Sequence, residues 1–350
     1  MRQLGILLLL VLLCDEATSV AQVTWRDLDD LERHRKADKY VPVIQSIGND
    51  SLAWEVSVAV ETWDFLEGDD PDLDGRDPLP SLIDQEQIKD ALLPHFWESP
   101  DSLLAAMVAD YIVKHRKGLS VVLGRYKAYE EELRTVFRSS GLPEDLSVLA
   151  AVESAMNPLA LSKAGARGMW QFMPGTARSY GLRCDEIVDE RLDYLSSAYA
   201  AAAYLEKAFA RYGDWRLAIS SYNCGTGAVE KAIRRARSKD YWRIYPFLPA
   251  ETRGYFPAFA ATLYAFLYKN ELGIEDRRFT RDRGALFKVE CNTTLKEIAG
   301  ATGIGLGDLR QMNPQFISGI IPGRSRAYYI RIPHSFASEF KLYLSNKTES

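Results

Sequence analysis

Residues 142–158 read LPEDLSVLAAVESAMNP, and this stretch decides the fold of the region around it. The run Pro143-Glu144-Asp145 predicts the start of a helix, because proline is favoured at the first helical positions and acids in the first turn. The helix is expected to continue toward Ser154 and to stop at Asn157-Pro158. The stretch therefore predicts a helix whose end lies beside a loop.

One glutamate of this helix is predicted to point toward the protein core. Leu142, Leu146 and Leu149 form an apolar stripe at helical spacing, and Glu153 follows four residues later on the same side. Burial disfavours the charged carboxylate, so the pKa of Glu153 is expected to rise and leave a proton available near neutral pH for general acid catalysis. Taken alone, the position also fits a glutamate at a helix end that is paired with a cation or partly exposed.

Helical patterns extend to both sides of this stretch. Residues 102–138 predict two helices around a turn at Lys117-Gly118, and residues 198–212, 215–222 and 255–272 predict three more. The central region is therefore expected to be all-α. Farther along, residues 287–289 and 328–332 predict short strands that flank helices at 295–302 and 306–312, which indicates a small α+β module of βααβ order. The predicted fold class is mainly α.

Composition narrows the class of protein. The chain has 350 residues, of which 47% are hydrophobic and 26% charged, so it has the composition of a globular protein with at least one sizeable core. Its formal net charge of -5 comes from interspersed acids and bases. Such a distribution disfavours nucleic acid as a partner.

The first residues predict an export signal. Arg2 supplies the positive start, residues 5–13 the apolar run, and Ser19-Val20-Ala21 a small-residue cleavage site before Gln22. A membrane anchor is the alternative, but the run is short for a bilayer of roughly 30 Å. Lipid attachment at Cys14 is left open, although Leu13 is large for the position before it.

Neither the remaining cysteines nor the histidines predict a metal site. Cys184, Cys224 and Cys291 are an odd number, so at least one thiol is unpaired, and a Cys184-Cys224 bridge or ordinary buried thiols both fit. The four histidines lack metal-ligand spacing. The aspartate-rich stretch 67–80 fits a solvated loop better than a calcium site, since the expected glycine and glutamate positions are missing. No cofactor is predicted.

A series of short motifs runs in fixed order from Glu153 to Tyr255. They are Glu153-Ser154-Ala155, Asn157-Pro158, Ser162, Gly165-Ala166, residues 168–177 (GMWQFMPGTA), Asp189, Arg191-Leu192-Asp193, Ala218, Tyr222-Asn223, Gly225, Leu248-Pro249, Glu251-Thr252-Arg253 and Tyr255. In these motifs the chain resembles the lytic transglycosylases, enzymes with a goose-type-lysozyme-like helical domain that cleave bacterial peptidoglycan without water. Cys224 and Ser221 depart from the alanines of many relatives, which affects local packing more than catalysis.

The resemblance implies roles for several of the matched residues. Glu153 matches the catalytic glutamate. The expected substrate-binding residues line the cleft: Ser162, Gln171 and Tyr222 near the scissile sugar, with Met173, Asn223 and Glu251 at other cleft positions. Hydroxyl and amide groups suit sugar hydroxyls, and apolar or aromatic faces suit pyranose rings. Met169, Trp170, Phe172 and Met173, taken singly, also fit core residues.

The reaction implied by the resemblance uses one carboxylate. Glu153 protonates the bond between N-acetylmuramic acid and N-acetylglucosamine, then acts as base for the sugar's 6-hydroxyl, which attacks C1 with help from the N-acetyl group. A hydrolytic lysozyme needs a second carboxylate, for which Glu251 or Glu190 is the candidate. A catalytically silent peptidoglycan-binding or scaffolding protein is the rival from another class. A cysteine peptidase using Cys224 is weaker, since no histidine belongs to the matched motifs.

The C-terminal module resembles a divergent LysM domain, a small glycan-binding unit, through Phe287-Lys288-Val289, Thr294-Leu295, Ile298-Ala299, Leu309 and Asn313-Pro314. Its usual glycine-aspartate-threonine turn reads Cys291-Asn292-Thr293-Thr294, so glycan binding and a structural or partner-binding role both remain open. The expected organisation is a signal peptide at 1–21, a helical extension at 22–138, a catalytic domain at 139–274 and this module at 285–335. The expected location is the periplasm or envelope of a bacterium, with outer-membrane association left open and peptidoglycan strands as the partner.

Overall fold

The computed structural model describes residues 102–348. The predicted signal peptide, Cys14, the acidic stretch 67–80 and most of the predicted helical extension lie outside the described residues. Within the described part, residues 102–282 and 313–320 belong to a larger compact unit, and residues 283–312 and 321–348 to a smaller one.

The larger unit is built almost wholly from helices. They are α1 (Ser102–Ser139), α2 (Leu149–Ser154), α3 (Pro174–Ser179), α4 (Tyr194–Tyr212), α5 (Trp215–Ala236), α6 (Tyr241–Ile244) and α7 (Ala250–Leu267), with short 3₁₀ helices at Glu144–Val148, Glu190–Leu192 and Tyr245–Phe247. The prediction of a mainly α fold is confirmed.

The core of this unit lies between its long helices. Helix α7 packs against α1 and α5, and α4 packs against α5 and α1. Trp170 is fully buried and lies 5.6 Å from Phe137 of α1, measured between ring centroids. Because most of α7 is buried, this helix forms the middle of the unit and brings its side chains close to the end of α2.

Several helix bounds differ from the predicted ones. The stretch 102–139 is one element with a kink at His115, two residues before the predicted turn. The helix expected from Pro143 is divided into the 3₁₀ helix Glu144–Val148 and α2. Helix α5 passes the predicted end at Tyr222 and bends at Gly225, whose φ of 78° and ψ of 155° are not helical. Helix α7 begins five residues before Tyr255 and ends at Leu267.

The smaller unit has the predicted order of two strands flanking two helices. Strand β1 (Ala285–Val289) pairs antiparallel with β4 (Tyr328–Ile332), and β2 (Asn292–Thr294) pairs with β3 (Ile320–Pro322). Helices α8 (Leu295–Thr302) and α9 (Leu306–Met312) lie between them along the chain, at the predicted bounds.

A further helix, α10 (Ala337–Thr348), follows the 3₁₀ helix His334–Phe336 beyond the predicted end of the module. Phe340 of α10 is fully buried, and its ring lies 5.0 Å from that of Phe287. The hydroxyl of Tyr343 is hydrogen bonded to that of Thr293, in the divergent turn. Helix α10 therefore completes the core of the smaller unit.

In the described range, 102–348, no helix combines the length and the apolar character needed to cross a bilayer.

Candidate active site

Glu153 lies in the last turn of α2 and is buried, with 5% of its surface exposed. The prediction that it points into the core is confirmed. Burial raises the pKa of Glu153 to about 8, and a hydrogen bond donated by the hydroxyl of Tyr255 to Oε1 partly opposes that rise. The carboxyl group is therefore mostly protonated at neutral pH, as a general acid must be.

The backbone that follows Glu153 is strained. Ala155 and Met156 have φ of 49° and 62°, in the left-handed region that non-glycine residues rarely adopt. Helix α2 thus ends at Ser154, before the predicted stop at Asn157-Pro158. Arg125 holds this turn by donating to the carbonyl of Ala155 at 3.1 Å. Strain of this kind costs about 1–3 kcal/mol per residue and is concentrated at functional sites.

The loop that carries Gln171 lies against the same turn. The hydroxyl of Ser154 donates to the carbonyl of Met169 at 2.8 Å. Gln171 is left-handed, with φ of 47°, and its amide Nε2 donates to the carbonyl of Gly168 at 2.8 Å. The other amide atom, Oε1, is buried and accepts no hydrogen bond from the described residues. A buried acceptor without a partner is costly, so this oxygen is suited to a ligand donor.

An ion cluster clamps this loop from its other end. Asp189 is 3% exposed and accepts from Arg191 at 2.9 and 2.8 Å and from Arg167 at 3.0 Å. The guanidinium of Arg191 also donates to the carbonyls of Gly165 and Phe172, at 2.9 and 3.1 Å. Burial alone would raise the pKa of Asp189, but its hydrogen bonds and charge interactions with the two arginines outweigh burial and lower it.

Gly168 shows how tightly the loop fits this cluster. Its φ is +83°, and a Cβ placed on it would lie 1.8 Å from the carbonyl oxygen of Arg191. Only glycine fits here. The position of Gln171 is therefore set by Gly168 and Arg191 together.

Tyr222 reaches the site from α5, just before the bend at Gly225. Its hydroxyl donates to the carbonyl of Trp170 at 2.9 Å. Its ring meets Phe172 edge to face at 5.8 Å and Tyr204 at 5.1 Å between centroids. Burial, together with the charge of Glu153, raises the pKa of Tyr222 well above its usual value, so its phenol stays neutral near the carboxyl group.

The other sequence-predicted site residues take varied positions. Asn223 is buried, and its Oδ1 accepts from the hydroxyl of Thr252 at 2.8 Å. Glu251 is exposed in the first turn of α7. Ser162 is buried, and its hydroxyl accepts from the backbone of Ala166 at 2.8 Å. Met173 is half-buried where α3 begins. The charge of Glu153 acts on Tyr222, and a hydrogen bond joins Asn223 to α7, whereas Ser162 and Met173 lie on the loop of Gln171.

Two features of the site were not assigned from the sequence. Tyr255 belonged to a matched motif but was not among the predicted site residues, although it is the hydrogen-bond partner of Glu153. Asp189 and Arg191 also belonged to motifs without a predicted role. The signal that could have found these three residues is their position in the same motifs that contain the predicted cleft residues.

An open depression of about 640 Å³ lies beside the ion cluster rather than at Glu153. It is lined by Arg167, Pro174, Cys184, Asp185, Glu186, Ile187, Asp189, Arg191 and Ile317. The two arginines are already paired with Asp189, and the pKa values of the lining carboxyl groups Asp185 and Asp189 are both lowered by their hydrogen bonds and nearby arginines. The chemistry therefore favours Glu153 as the reactive group.

The cysteines add no reactive centre. Cys184, Cys224 and Cys291 are all free thiols, so the Cys184-Cys224 bridge left open by the sequence is not formed. Burial raises the pKa of Cys224 to about 11, which keeps this thiol protonated and poorly nucleophilic. Within residues 102–348, no group of three or more histidine, cysteine, aspartate or glutamate side chains is arranged to hold a metal ion.

Family models match a part of each unit. Residues 138–245 match the family model of the transglycosylase SLT domain. Residues 287–348 match the model described as lytic transglycosylase MltD, LysM-like domain. The second match extends through α10, in agreement with the contacts of that helix.

Individual relatives agree with the family models. Membrane-bound lytic murein transglycosylase D of Escherichia coli K12 is 31% identical over 242 residues, which are 67% of this chain and 52% of that protein. A transglycosylase of Enterobacteria phage PRD1 is 34% identical over 99 residues, 28% of this chain and 34% of the phage protein. This chain therefore spans about half the length of the Escherichia coli relative.

A solved structure was also compared. The 70 kDa soluble lytic transglycosylase SLT70 of Escherichia coli aligns with 64% of this chain and 44% of its own, at 18% identity and a TM-score of 0.36.

Proposed function

We propose that this chain, which carries a transglycosylase SLT domain followed by a LysM-like domain of the MltD type, is a lytic transglycosylase of bacterial peptidoglycan. It cleaves the β-1,4 bond between N-acetylmuramic acid and N-acetylglucosamine and leaves a 1,6-anhydromuramoyl end, which makes it a carbon-oxygen lyase. The observation that carries the proposal is the state of Glu153, a buried carboxyl with a pKa of about 8 inside the matched domain.

The first step uses the protonated form of Glu153. The carboxyl group gives its proton to the glycosidic oxygen as the bond from C1 to that oxygen breaks. The leaving N-acetylglucosamine departs with a neutral hydroxyl, and Glu153 becomes a carboxylate. The hydroxyl of Tyr255 donates to Oε1 and stabilises the negative charge that appears in this step.

The second step uses the carboxylate as a base. Glu153 removes the proton of the 6-hydroxyl of the muramic acid residue, and that oxygen forms a bond to C1. The ring closes to the anhydro sugar, Glu153 regains its proton, and no water is consumed. A pKa near 8 suits both steps, because neither protonation state is far in free energy from the other near neutral pH.

Among the described residues, no second acid affects the pKa of Glu153, which favours this reaction over hydrolysis. A hydrolase with retention holds its second carboxylate roughly 5 Å away, and one with inversion roughly 6.5 to 9.5 Å away. Among the described residues, the pKa of Glu153 responds only to burial and to Tyr255, and no carboxylate contributes. Of the two candidates for a second acid, Glu190 is engaged with the backbone N–H of Arg183 at 2.7 Å, and Glu251 is exposed.

We further propose substrate-binding roles for residues around Glu153. The unpartnered Oε1 of Gln171 would accept from a sugar hydroxyl or an N-acetyl N–H. The half-buried ring of Tyr222 would lie against a pyranose face. Ser162, Met173, Asn223 and Glu251 are proposed as further contacts along the strand.

The proposed domain limits follow the matched motifs, with catalysis in 139–274 and the LysM-like module in 285–335, now continued by α10. We propose export to the bacterial envelope, in keeping with the name of the relative membrane-bound lytic murein transglycosylase D. We also propose that the reaction needs no cofactor.

The test is mass spectrometry of the muropeptides released from purified sacculi by the wild-type chain and by Glu153→Gln. The wild type is expected to release 1,6-anhydromuramoyl products, and the variant to lose at least a thousandfold in rate because it removes both acid and base. Glu190→Gln and Glu251→Gln are the matched controls, and both are expected to give the same type of product as the wild type.

Other outcomes identify the rivals. Products with reducing ends, lost in Glu190→Gln or Glu251→Gln, would identify a lysozyme. Binding to sacculi without release by either wild type or variant would identify a non-catalytic scaffold.

A further inference from the structure

The second half of α5 and the turn into α6 expose a concentrated positive charge. Six exposed cations in residues 230–243, which run from α5 into α6, form what we call the basic patch. They are Lys231, Arg234, Arg235, Arg237, Lys239 and Arg243. Residues 230–243 hold these six cations and only two acids, a net charge of +4 in a chain whose total is -5. The average composition of the chain therefore conceals a strongly basic surface.

The charges of the basic patch are almost entirely unneutralised. Of its members, only Arg234 has an acidic partner within the described residues, Glu230 at 4.0 Å, which is also bound closely by Arg211. The other acid, Asp240, uses Oδ1 to accept from the backbone of Arg243 at 2.9 Å. Lys231, Arg234 and Arg235 share one face of α5, because residues three and four apart are neighbours on a helix.

Aromatic rings border the basic patch. Phe247 is 38% exposed, and the guanidinium of Arg235 lies 5.1 Å from its ring centroid. Trp242 and Tyr245 are both partly exposed, with ring centroids 5.3 Å apart. Exposed cations beside partly exposed aromatic rings are the composition of surfaces that lie in the headgroup region of a bilayer.

We propose that the basic patch and its aromatic border bind the surface of an anionic phospholipid bilayer. Phospholipid headgroups provide a dense, diffuse negative charge that suits several mobile cations. Recognition of individual peptide carboxylates instead favours arginines held in fixed, bidentate geometry, as Asp189 holds Arg191. No residue of the patch is held in this way, so the bilayer fits better than an acidic peptide.

This attachment would orient the proposed active site. Helix α5 carries Tyr222 and Asn223 before its bend at Gly225 and the basic patch after it. Binding of the patch to a bilayer would thus keep the site near the membrane surface without a membrane-spanning helix. The inference does not depend on the proposed reaction, because lipid binding is measured without cleavage.

The test is co-sedimentation of the full-length chain with vesicles of phosphatidylcholine alone or mixed with phosphatidylglycerol. The variant Lys231→Gln/Arg235→Gln/Lys239→Gln removes three charges from the patch. The matched control, Arg278→Gln/Arg310→Gln/Arg324→Gln, removes three exposed charges elsewhere. Any binding through the N-terminal apolar segment is shared by all three proteins and appears on the neutral vesicles too.

The wild type and the control are expected to prefer anionic vesicles, and the patch variant to lose on the order of a hundredfold in partition, since each cation contributes roughly fivefold. Raising the salt from low to high should abolish the preference. Equal losses in the patch and control variants, or equal binding of the wild type to both vesicles, would overturn the proposal. Loss of sacculus binding by the patch variant with unchanged vesicle binding would also overturn it and assign the patch to acidic peptidoglycan peptides.

Discussion

Glu153 and Asp189 are two buried carboxyl groups of the larger unit whose pKa values shift in opposite directions. Glu153 is 5% exposed and Asp189 3%, yet the pKa of Glu153 rises to about 8 and that of Asp189 falls below its usual value. Among residues 102–348, the one hydrogen-bond partner of the Glu153 side chain is the neutral Tyr255, while Asp189 binds two arginines. Burial sets the cost of the charge, and the partners decide whether that cost is met.

The difference separates a reactive group from a structural one. The lowered pKa of Asp189 favours its charged form, which binds Arg191, and Arg191 in turn holds the loop of Gln171. Glu153 has no charged partner in the described part of the chain, and with a pKa of about 8 it can exchange a proton near neutral pH. The site therefore combines a fixed ion cluster with a carboxyl group that the cluster does not neutralise.

The largest expected effect on stability comes from removing the charged carboxylate of Asp189. Asp189→Ala leaves Arg191 buried without its carboxylate, which should lower the free energy of unfolding by about 3–5 kcal/mol in urea titrations. The matched control is Asp110→Ala, which breaks an exposed pair with Lys114 and should cost about 0.5 kcal/mol. Similar losses in the two variants would contradict a stabilising ion cluster.

The next effect is the pH dependence of stability that Glu153 causes. The native pKa of Glu153 is about 8 against 4.5 for an ordinary glutamate, so from about pH 5 to 8 the folded chain holds a proton that the unfolded chain releases. The free energy of unfolding should fall over this range by a few kcal/mol relative to Glu153→Gln, which has no proton to hold. Urea titrations at several pH values measure the difference. Parallel curves for the two proteins would refute a raised pKa.

Tyr255→Phe sharpens the comparison by removing the hydroxyl that donates to Glu153. The carboxylate loses a hydrogen bond, so the pKa of Glu153 should rise above about 8 and the alkaline limb of kcat/KM should move to higher pH. The value of kcat should fall about tenfold to a hundredfold. Tyr126→Phe, which removes a buried hydrogen bond to Ser147 away from Glu153, should leave the limb in place. A limb that moves in neither variant would exclude Tyr255 as a positioning residue.

The smallest effect is expected beside the site. Thr252→Val removes the donor to Asn223 and should lower the free energy of unfolding by about 1 kcal/mol while raising KM severalfold at unchanged kcat. Thr262→Val, which loses only a bond to the helix carbonyl of Ala258, is the matched control for stability alone. An unchanged KM in both would remove Asn223 from the proposed substrate contacts.

Local patterns predicted much of the fold. The burial of Glu153 followed from three leucines at helical spacing, and α8 and α9 appeared at the predicted bounds because each has a clear apolar side. The glycines at 225 and 227 suggested that α5 ends near Tyr222. Packing prevailed instead, since Val229 and Ala232 are buried and the chain resumes its helix after one non-helical residue.

Contacts between distant residues could not be read from such patterns. Tyr255 and Glu153 are 102 positions apart and meet only because α7 packs beside α2. Helix α10 was not predicted because its apolar residues do not form one stripe: Phe340 is buried, whereas Leu342 is 64% exposed. The ion cluster could not be predicted either. Charged residues at 167, 189 and 191 predict a solvated surface when they are read from the sequence, and only the tertiary structure brings them together.

The most direct test of the central claim is a carboxyl titration of Glu153 by carbon-13 NMR, with its resonance assigned by its absence from Glu153→Gln. The account predicts one glutamate carboxyl with a pKa near 8, absent from that variant and shifted upward in Tyr255→Phe. A resonance lost in Glu153→Gln that titrates near the ordinary value of 4.5 would contradict it.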